Sequence, residues 1–126
     1  MENIVAVAIG GAIGAVSRWL LTIVIQHKVE GAFPYGTMLV NLIGSLLIGL
    51  CMSYFLQKTE LPLWVKLFVV TGGLGGLTTF STFTAEWLAL LESGSYGGAL
   101  FYGGVQLLGG LLLCSLGFWL GRVIGS

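Results

Sequence analysis

Long apolar stretches alternate with short polar connections along the whole chain. The apolar stretches cover approximately residues 4–26, 36–56, 63–91 and 96–124. A helix needs about 20 apolar residues, each rising about 1.5 Å, to cross the hydrocarbon core of a bilayer. The pattern therefore predicts an all-α membrane protein with four transmembrane helices in a single domain, residues 1–126. The third stretch is longer than a straight crossing requires.

Composition supports a lipid environment. Of the 126 residues, 56% are hydrophobic and 8% are charged, and the formal net charge is zero. A soluble domain carries about 25% charged residues, so this chain has too few polar side chains to cover a surface facing water. We expect the bilayer to be its solvent. Without a basic run or an acidic tail, we expect no nucleic-acid partner.

The charges in the connections set the orientation only weakly. With four spans, Lys58, Lys66 and Arg122 lie on one side of the membrane and Lys28 on the other, while Arg18 falls inside the first stretch. Orientation follows the excess of Lys and Arg on the cytoplasmic side. So small a bias is compatible with insertion in both orientations, and hence with an antiparallel dimer.

Small residues recur at a spacing of four. Because lipid provides no hydrophobic drive for helices to associate, close packing through such residues supplies much of the attraction. We expect these faces to pack helices together, and in particular to pack the dimer. The positions are Gly10 and Gly14, Ser45 and Gly49, and Gly117, Gly121 and Gly125.

The segment Thr71–Phe83 departs from the pattern of a regular membrane helix. It has four glycines within residues 72–76, followed by Thr-Thr-Phe-Ser-Thr-Phe-Thr. Glycine destabilises a helix by about 1 kcal/mol relative to alanine, and hydroxyl side chains compete for backbone hydrogen bonds. We therefore predict that the third helix is broken here. A kink for tight helix crossing is the simpler alternative.

A break inside a membrane helix exposes two ends that can bind ions. Free carbonyls at the end of the first half can hold a cation such as Na⁺, and free amides at the start of the second half favour an anion. Phe80 and Phe83 share one helical face, and Ser81 and Thr82 place hydroxyls beside it. Ring edges are electropositive and hydroxyls donate hydrogen bonds, so this run suits a small anion.

Three polar residues inside the apolar stretches are further candidates. Arg18 is a cation whose burial is costly, and it either extends to an interface or attracts anions at a vestibule. Asn41 can donate hydrogen bonds to an anion or to a broken helix. Glu86 is expected near the far end of its helix, facing water, with a secondary role at most.

Enzyme chemistry is not expected. The sequence has no nucleophile–base pair, metal-ligand cluster or phosphate-binding loop, and its carboxylates lie mostly in the connections. The two cysteines, Cys51 and Cys114, lie in apolar runs and are expected to be ordinary core residues. His27 is expected to be a solvated loop residue, with no second ligand nearby.

Three motifs together resemble the Fluc fluoride channels, also called the CrcB family. They are Gly-Gly-Ala-Ile-Gly-Ala-Val-Ser-Arg at residues 10–18, Pro-Tyr-Gly-Thr-Met-Leu-Val-Asn-Leu-Ile-Gly at 34–44, and Gly-Gly-Leu-Gly-Gly-Leu-Thr-Thr-Phe-Ser-Thr-Phe at 72–83. They occur in the family's order, and the resemblance spans essentially the whole chain.

The resemblance implies an antiparallel, dual-topology homodimer in a bacterial inner membrane, with two pores that passively export fluoride and confer resistance to it. It also implies a central structural Na⁺, held by the backbone carbonyls of Gly75 and Thr78. Tyr102 matches a position in a polar track along the pore; Gln106 could continue that track, but Gly110 offers no side chain. The fluoride pathway by this resemblance comprises Phe80, Phe83, Asn41, Ser81, Thr82, Tyr102 and Arg18.

Two other functions remain open from the sequence. A small multidrug transporter has a similar size and dual topology, but it needs a membrane-embedded carboxylate for proton-coupled exchange of cations. Here only Glu2 precedes the first stretch, and Glu86 follows the glycines of the third. A purely structural subunit packed through its glycines is the other alternative.

Overall fold

The computed structural model describes all residues from Met1 to Ser126 and consists of helices and loops without any strand. Four helical spans are long and apolar enough to cross a membrane. Two extended residues divide the third span, Leu63–Glu92. We label the helices α1 (Glu2–His27), α2 (Tyr35–Gln57), α3 (residues 63–77), α4 (Phe80–Glu92) and α5 (Tyr96–Gly125). The span ends lie within two residues of those expected from the apolar pattern.

Proline and glycine delimit the spans. Pro34 and Pro62 stand immediately before α2 and α3, where a residue without an N–H removes no helical hydrogen bond. Gly31 and Gly94, in the first and third connections, have φ angles of 98° and 80°, a region that side chains disfavour. These residues allow the chain to reverse direction within a few residues.

The glycines of α3 bring its backbone against that of α1. A Cβ added at Gly72 would lie 2.8 Å from the carbonyl oxygen of Val7, and one added at Gly14 would collide with the carbonyl of Gly73. Backbones approach this closely only where side chains are absent. The glycines on both helices therefore serve the packing of α1 on α3.

The glycine-rich segment itself is helical, which differs from the expected break over Thr71–Phe83. Leu67–Leu74 forms a wide π-helical stretch and Gly75–Leu77 one further α-helical turn. The backbone becomes extended only at Thr78 and Thr79. The low intrinsic helix stability of glycine is offset here by the close packing that glycine permits against α1.

The small-residue faces of α2 and α5 also pack within one chain. A Cβ at Gly117 or Gly121 would collide with the carbonyl of Leu46 or Leu50, and one at Gly49 with the carbonyl of Cys114. The expectation that these faces pack the dimer is therefore wrong, because a neighbouring helix of the same chain already covers them. A dimer must use other surfaces.

The buried core is small and consists of two clusters. Val40 of α2 packs with Leu74 and Leu77 at the end of α3. Met38 of α2, Phe83 of α4 and Tyr102 of α5 form the other, which we call the core cluster. Large apolar side chains such as Trp19 and Leu100 are instead exposed on the outside of the spans, as expected for contact with lipid. The core cluster fixes α4 to α2 and α5 directly beside the interruption of the third span.

Candidate functional site

The interruption consists of two consecutive extended residues. Thr78 has φ −94° and ψ 153°, and Thr79 has φ −148° and ψ 123°. Thr79 then caps α4, because its Oγ1 accepts a hydrogen bond of 3.2 Å from the amide of Thr82. Within a bilayer every remaining backbone group at this point needs a partner from protein, water or an ion.

Asn41 supplies two of these partners. Its Oδ1 accepts a hydrogen bond of 2.9 Å from the amide of Thr79, and its Nδ2 donates one of 3.0 Å to the carbonyl of the same residue. Of the two roles open from the sequence, the amide thus takes that of holding the interrupted helix. This uses one of the two N–H groups on Nδ2, so the other remains available to a ligand.

Arg18 binds the end of α3. Its Nε donates a hydrogen bond of 3.1 Å to the carbonyl oxygen of Gly76, at the end of the helix where a cation is favoured. Sequence reasoning did not foresee this contact. The same side chain also lines a cavity of about 180 Å³ together with Thr22, Thr37 and Thr82, among others. Both a structural role and a place at a vestibule are therefore compatible with its position.

The carbonyl oxygens of Gly75 and Thr78, unlike those of Leu74 and Gly76, accept no hydrogen bond from a side chain. Leu74 O accepts from both the amide and Oγ1 of Thr78, each at 3.1 Å, and Gly76 O accepts from Arg18. No side chain donates a hydrogen bond to the carbonyl of Gly75 or Thr78, and Gly75 is exposed on the isolated chain. Uncharged carbonyl oxygens of this kind are suitable ligands for a small cation.

The two phenylalanines at the start of α4 have different surroundings. The ring of Phe80 is 70% exposed, whereas that of Phe83 is 3% exposed. Their centroids are 5.7 Å apart with planes at 62°. Phe83 also meets Tyr102 at 5.3 Å and 66°, and stacks on Trp87 at 5.1 Å and 18°. Phe83 is therefore fixed within the subunit, while Phe80 faces outward.

A cavity of about 220 Å³ lies between α2, the interruption and α5. Hydroxyl and amide groups line it together with the two phenylalanines, and no charged side chain does so. Such a cavity can solvate a small ion without a fixed opposite charge. Its lining comprises Asn41, Ser45, Ile48, Thr78, Thr79, Phe80, Phe83, Gln106 and Leu107.

Two buried polar groups on α5 have no hydrogen-bond partner. They are the hydroxyl of Tyr102, which is 0% exposed, and Nε2 of Gln106, which is 9% exposed and lines the cavity. A buried polar group without a partner costs about 1–3 kcal/mol, so these atoms are expected to serve a ligand or water. Gly110 follows on α5, where an added Cβ would lie 3.4 Å from Oγ of Ser45. The hydroxyl of Ser45 on α2 therefore lies close to the position on α5 where Gly110 has no side chain.

The hydroxyls of α4 point to different places. Thr82 lines the cavity that contains Arg18, whereas Ser81 is exposed, with its Oγ 3.2 Å from Oγ1 of Thr79. Glu86 does not face water as expected: it is partly buried, and Oγ1 of the buried Thr37 donates a hydrogen bond of 2.6 Å to its Oε1. Glu86 lines neither of the two cavities.

Comparisons with known proteins agree on one family. The family described as CrcB-like protein, Camphor Resistance (CrcB), matches residues 5–118. A protein of Bordetella petrii is 50% identical over 115 residues, covering 91% of this chain and 88% of its own length. A protein of Magnetococcus marinus is 46% identical over 119 residues, with 94% of each chain covered. One from Escherichia coli is 44% identical over 121 residues, covering 95% of this chain and 94% of its own. Each of these relatives is named fluoride-specific ion channel FluC.

Proposed function

Because the chain belongs to the CrcB family, we propose that it forms a fluoride-selective channel that exports fluoride passively from the cytoplasm. The chain is a multi-pass protein of a bacterial inner membrane, with four spans. Its family is one of ion channels and not of enzymes. The relatives are named fluoride-specific ion channels, and the cavity beside the interruption supports the same activity for this chain.

One observation carries the proposal: the cavity beside the interruption contains a buried amide nitrogen, of Gln106, without a partner. The cavity also holds the amide of Asn41 and no carboxylate. The unpaired N–H of Gln106 can replace part of the water around a small anion, and a cavity without a carboxylate does not repel one. Fluoride is the halide that loses the most hydration free energy on dehydration and therefore needs such donors most.

We infer a pathway in which the donors and rings act in sequence. Arg18 and Thr82 attract fluoride into the cavity of about 180 Å³, and Asn41 borders both that cavity and the one of about 220 Å³. There the electropositive edges of Phe80 and Phe83 and the free donor of Gln106 replace its water, and the hydroxyl of Tyr102, one turn away on α5, extends the polar track. Larger halides are excluded by the width of the pathway.

The proposal includes an antiparallel, dual-topology homodimer with two pores. The exposed ring of Phe80 supports it, because in a subunit alone this pore residue has an open side. The free carbonyls of Gly75 and Thr78 from both subunits would coordinate one central Na⁺. This ion would link the interruption of one subunit to that of the other. These proposals fail if the purified protein is a monomer, or if its fluoride flux is unchanged when Na⁺ is fully replaced by N-methylglucamine.

Fluoride efflux from liposomes containing the purified protein tests the function. An external fluoride electrode should record rapid efflux once the membrane potential that opposes it is dissipated, and a chloride electrode should record a far slower efflux. Phe80→Ile and Phe83→Ile remove the ring edges and should each reduce fluoride efflux. Efflux equal to that of the parent in both variants would contradict the proposed role of the rings.

The same vesicles separate the alternatives. A small multidrug transporter would accumulate a lipophilic cation in response to a proton gradient, and a structural subunit would pass no ion at all. Glu86, the one carboxylate well inside the third span, lines neither cavity and is bonded to Thr37. This arrangement argues against a carboxylate exposed to a transported cation.

A further inference from the structure

Trp87 is held at three points on α4 and α5. Its indole Nε1 donates a hydrogen bond of 2.9 Å to the carbonyl oxygen of Ala99. Its six-membered ring rests on Gly103, where an added Cβ would lie 2.6 Å from Cε2. On its other side it stacks on Phe83 with a centroid distance of 5.1 Å and an angle of 18°. The indole therefore has little room to move.

Phe83 is in turn enclosed by rings. Tyr102 meets it at 66° and Phe80 at 62°, while Trp87 is the one ring that stacks on it nearly in parallel. A parallel neighbour covers a face of the phenyl ring and blocks its rotation. Phe83 lines the cavity of about 220 Å³, but Trp87 does not. Trp87 therefore does not contact an ion in this cavity, and Phe83 is the ring that connects it to the lining.

We propose that Trp87 is a positioning residue that locks the ring of Phe83 in the orientation needed for selective passage of the ion. The inference rests on the proposed fluoride channel, which it extends by a residue outside the pathway. The hydrogen bond to Ala99 fixes the indole along α5, and Gly103 gives it the space to lie flat. The stacked face holds the plane of the Phe83 ring, so that the orientation of this plane towards the cavity stays constant.

Three variants separate the parts of this lock. Trp87→Leu removes the stacking ring, Gly103→Ala pushes the indole away from α5 without changing either aromatic residue, and Trp87→Phe keeps an aromatic partner but loses the hydrogen bond. Trp119→Leu is the matched control, because Trp119 is an exposed tryptophan on the outside of α5. Variants are compared only where the purified protein elutes as the parent does.

The first readout is the ratio of fluoride to chloride efflux from liposomes. Trp87→Leu and Gly103→Ala should lower this ratio by about tenfold, since an aromatic pair contributes up to roughly the free energy of one tenfold step. Trp87→Phe should recover most of the selectivity, and Trp119→Leu should match the parent. A ratio equal to that of the parent in both Trp87→Leu and Gly103→Ala overturns the inference.

The second readout does not depend on conduction. With 3,5-difluorophenylalanine incorporated at position 83, a locked ring holds its two fluorines in different surroundings and gives two ¹⁹F resonances, whereas a rapidly flipping ring gives one averaged resonance. The parent should give two and Trp87→Leu one. One averaged resonance in the parent overturns the lock even if fluoride passes. A parent that shows two resonances but conducts no fluoride instead overturns the proposed function and leaves the lock itself supported.

Discussion

At the scale of single residues, Asn41 shows how one side chain replaces hydrogen bonds lost from an interrupted helix. Its amide oxygen and nitrogen bind the amide and carbonyl of Thr79, at 2.9 and 3.0 Å. A primary amide is suited to this task because it offers a donor and an acceptor side by side without a charge. The same side chain borders both cavities, so holding the backbone also places a donor on the proposed pathway.

We predict that Asn41→Ala weakens both stability and conduction. It leaves the amide and the carbonyl of Thr79 without partners, at a cost of about 1–3 kcal/mol for each buried group. The melting temperature in detergent and the fluoride efflux from liposomes should both fall. Ser115→Ala is the control, because its Oγ bonds only the carbonyl of Leu111 in its own helix and the residue lines neither cavity. An Asn41→Ala variant that melts with the parent contradicts this account.

Residues that stand out by type were accessible from the sequence, whereas their partners were not. Asn41 and Arg18 are polar residues in apolar stretches, and that contrast alone marks them. Trp87 looks like any aromatic residue of a membrane helix, because its role depends on Gly103 and Ala99 in another helix. The hydrogen bond from Arg18 to Gly76 could not be predicted either, because it joins two helices whose relative position along the membrane normal is not specified by the sequence.

At the scale of the elements, glycine serves close helix packing more than helix breaking. In α3 the glycine-rich stretch stays helical, and its backbone touches that of α1 at Gly14 and Gly72. The interruption follows at Thr78 and Thr79, where hydroxyl side chains offer the backbone local partners. A run of glycines is compatible with a weak helix and with a closely packed one. The sequence therefore predicted a break over Thr71–Phe83, whereas in the structure only Thr78 and Thr79 are extended.

We predict that Gly14→Ala destabilises the fold while Gly11→Ala does not. A Cβ at Gly14 would collide with the carbonyl of Gly73, and overpacking of this kind costs about 1–3 kcal/mol. At Gly11, three residues earlier on the same helix, an added Cβ meets nothing within 4 Å. Thermal unfolding in detergent measures both variants. Equal melting temperatures would show that α1 and α3 do not depend on this close approach.

The ends of the spans could be predicted more accurately than their internal structure. Apolar length is set by the thickness of the bilayer, and prolines before α2 and α3 mark their starts. The π-helical stretches at Leu67–Leu74 and Val105–Gly109 have no comparable signal, because they depend on how neighbouring helices fit together.

At the scale of the whole molecule, one chain uses its small-residue faces internally and leaves residues beside the interruption exposed. Gly117 and Gly121 pack on α2, while Phe80 and Gly75 are exposed beside the interruption. The surface left for a second copy therefore includes the interruption itself. This division supports the proposed dimer, in which each subunit folds alone but the pore and the Na⁺ site are completed on assembly.

The most direct test of the central claim is the reversal potential of the purified protein in a planar bilayer. With a tenfold fluoride gradient and equal chloride on both sides, a passive fluoride-selective channel should reverse close to the fluoride equilibrium potential, about 59 mV from zero. Replacing chloride by a larger anion should not shift it. A current that reverses at zero, or the absence of any fluoride current, would contradict the account.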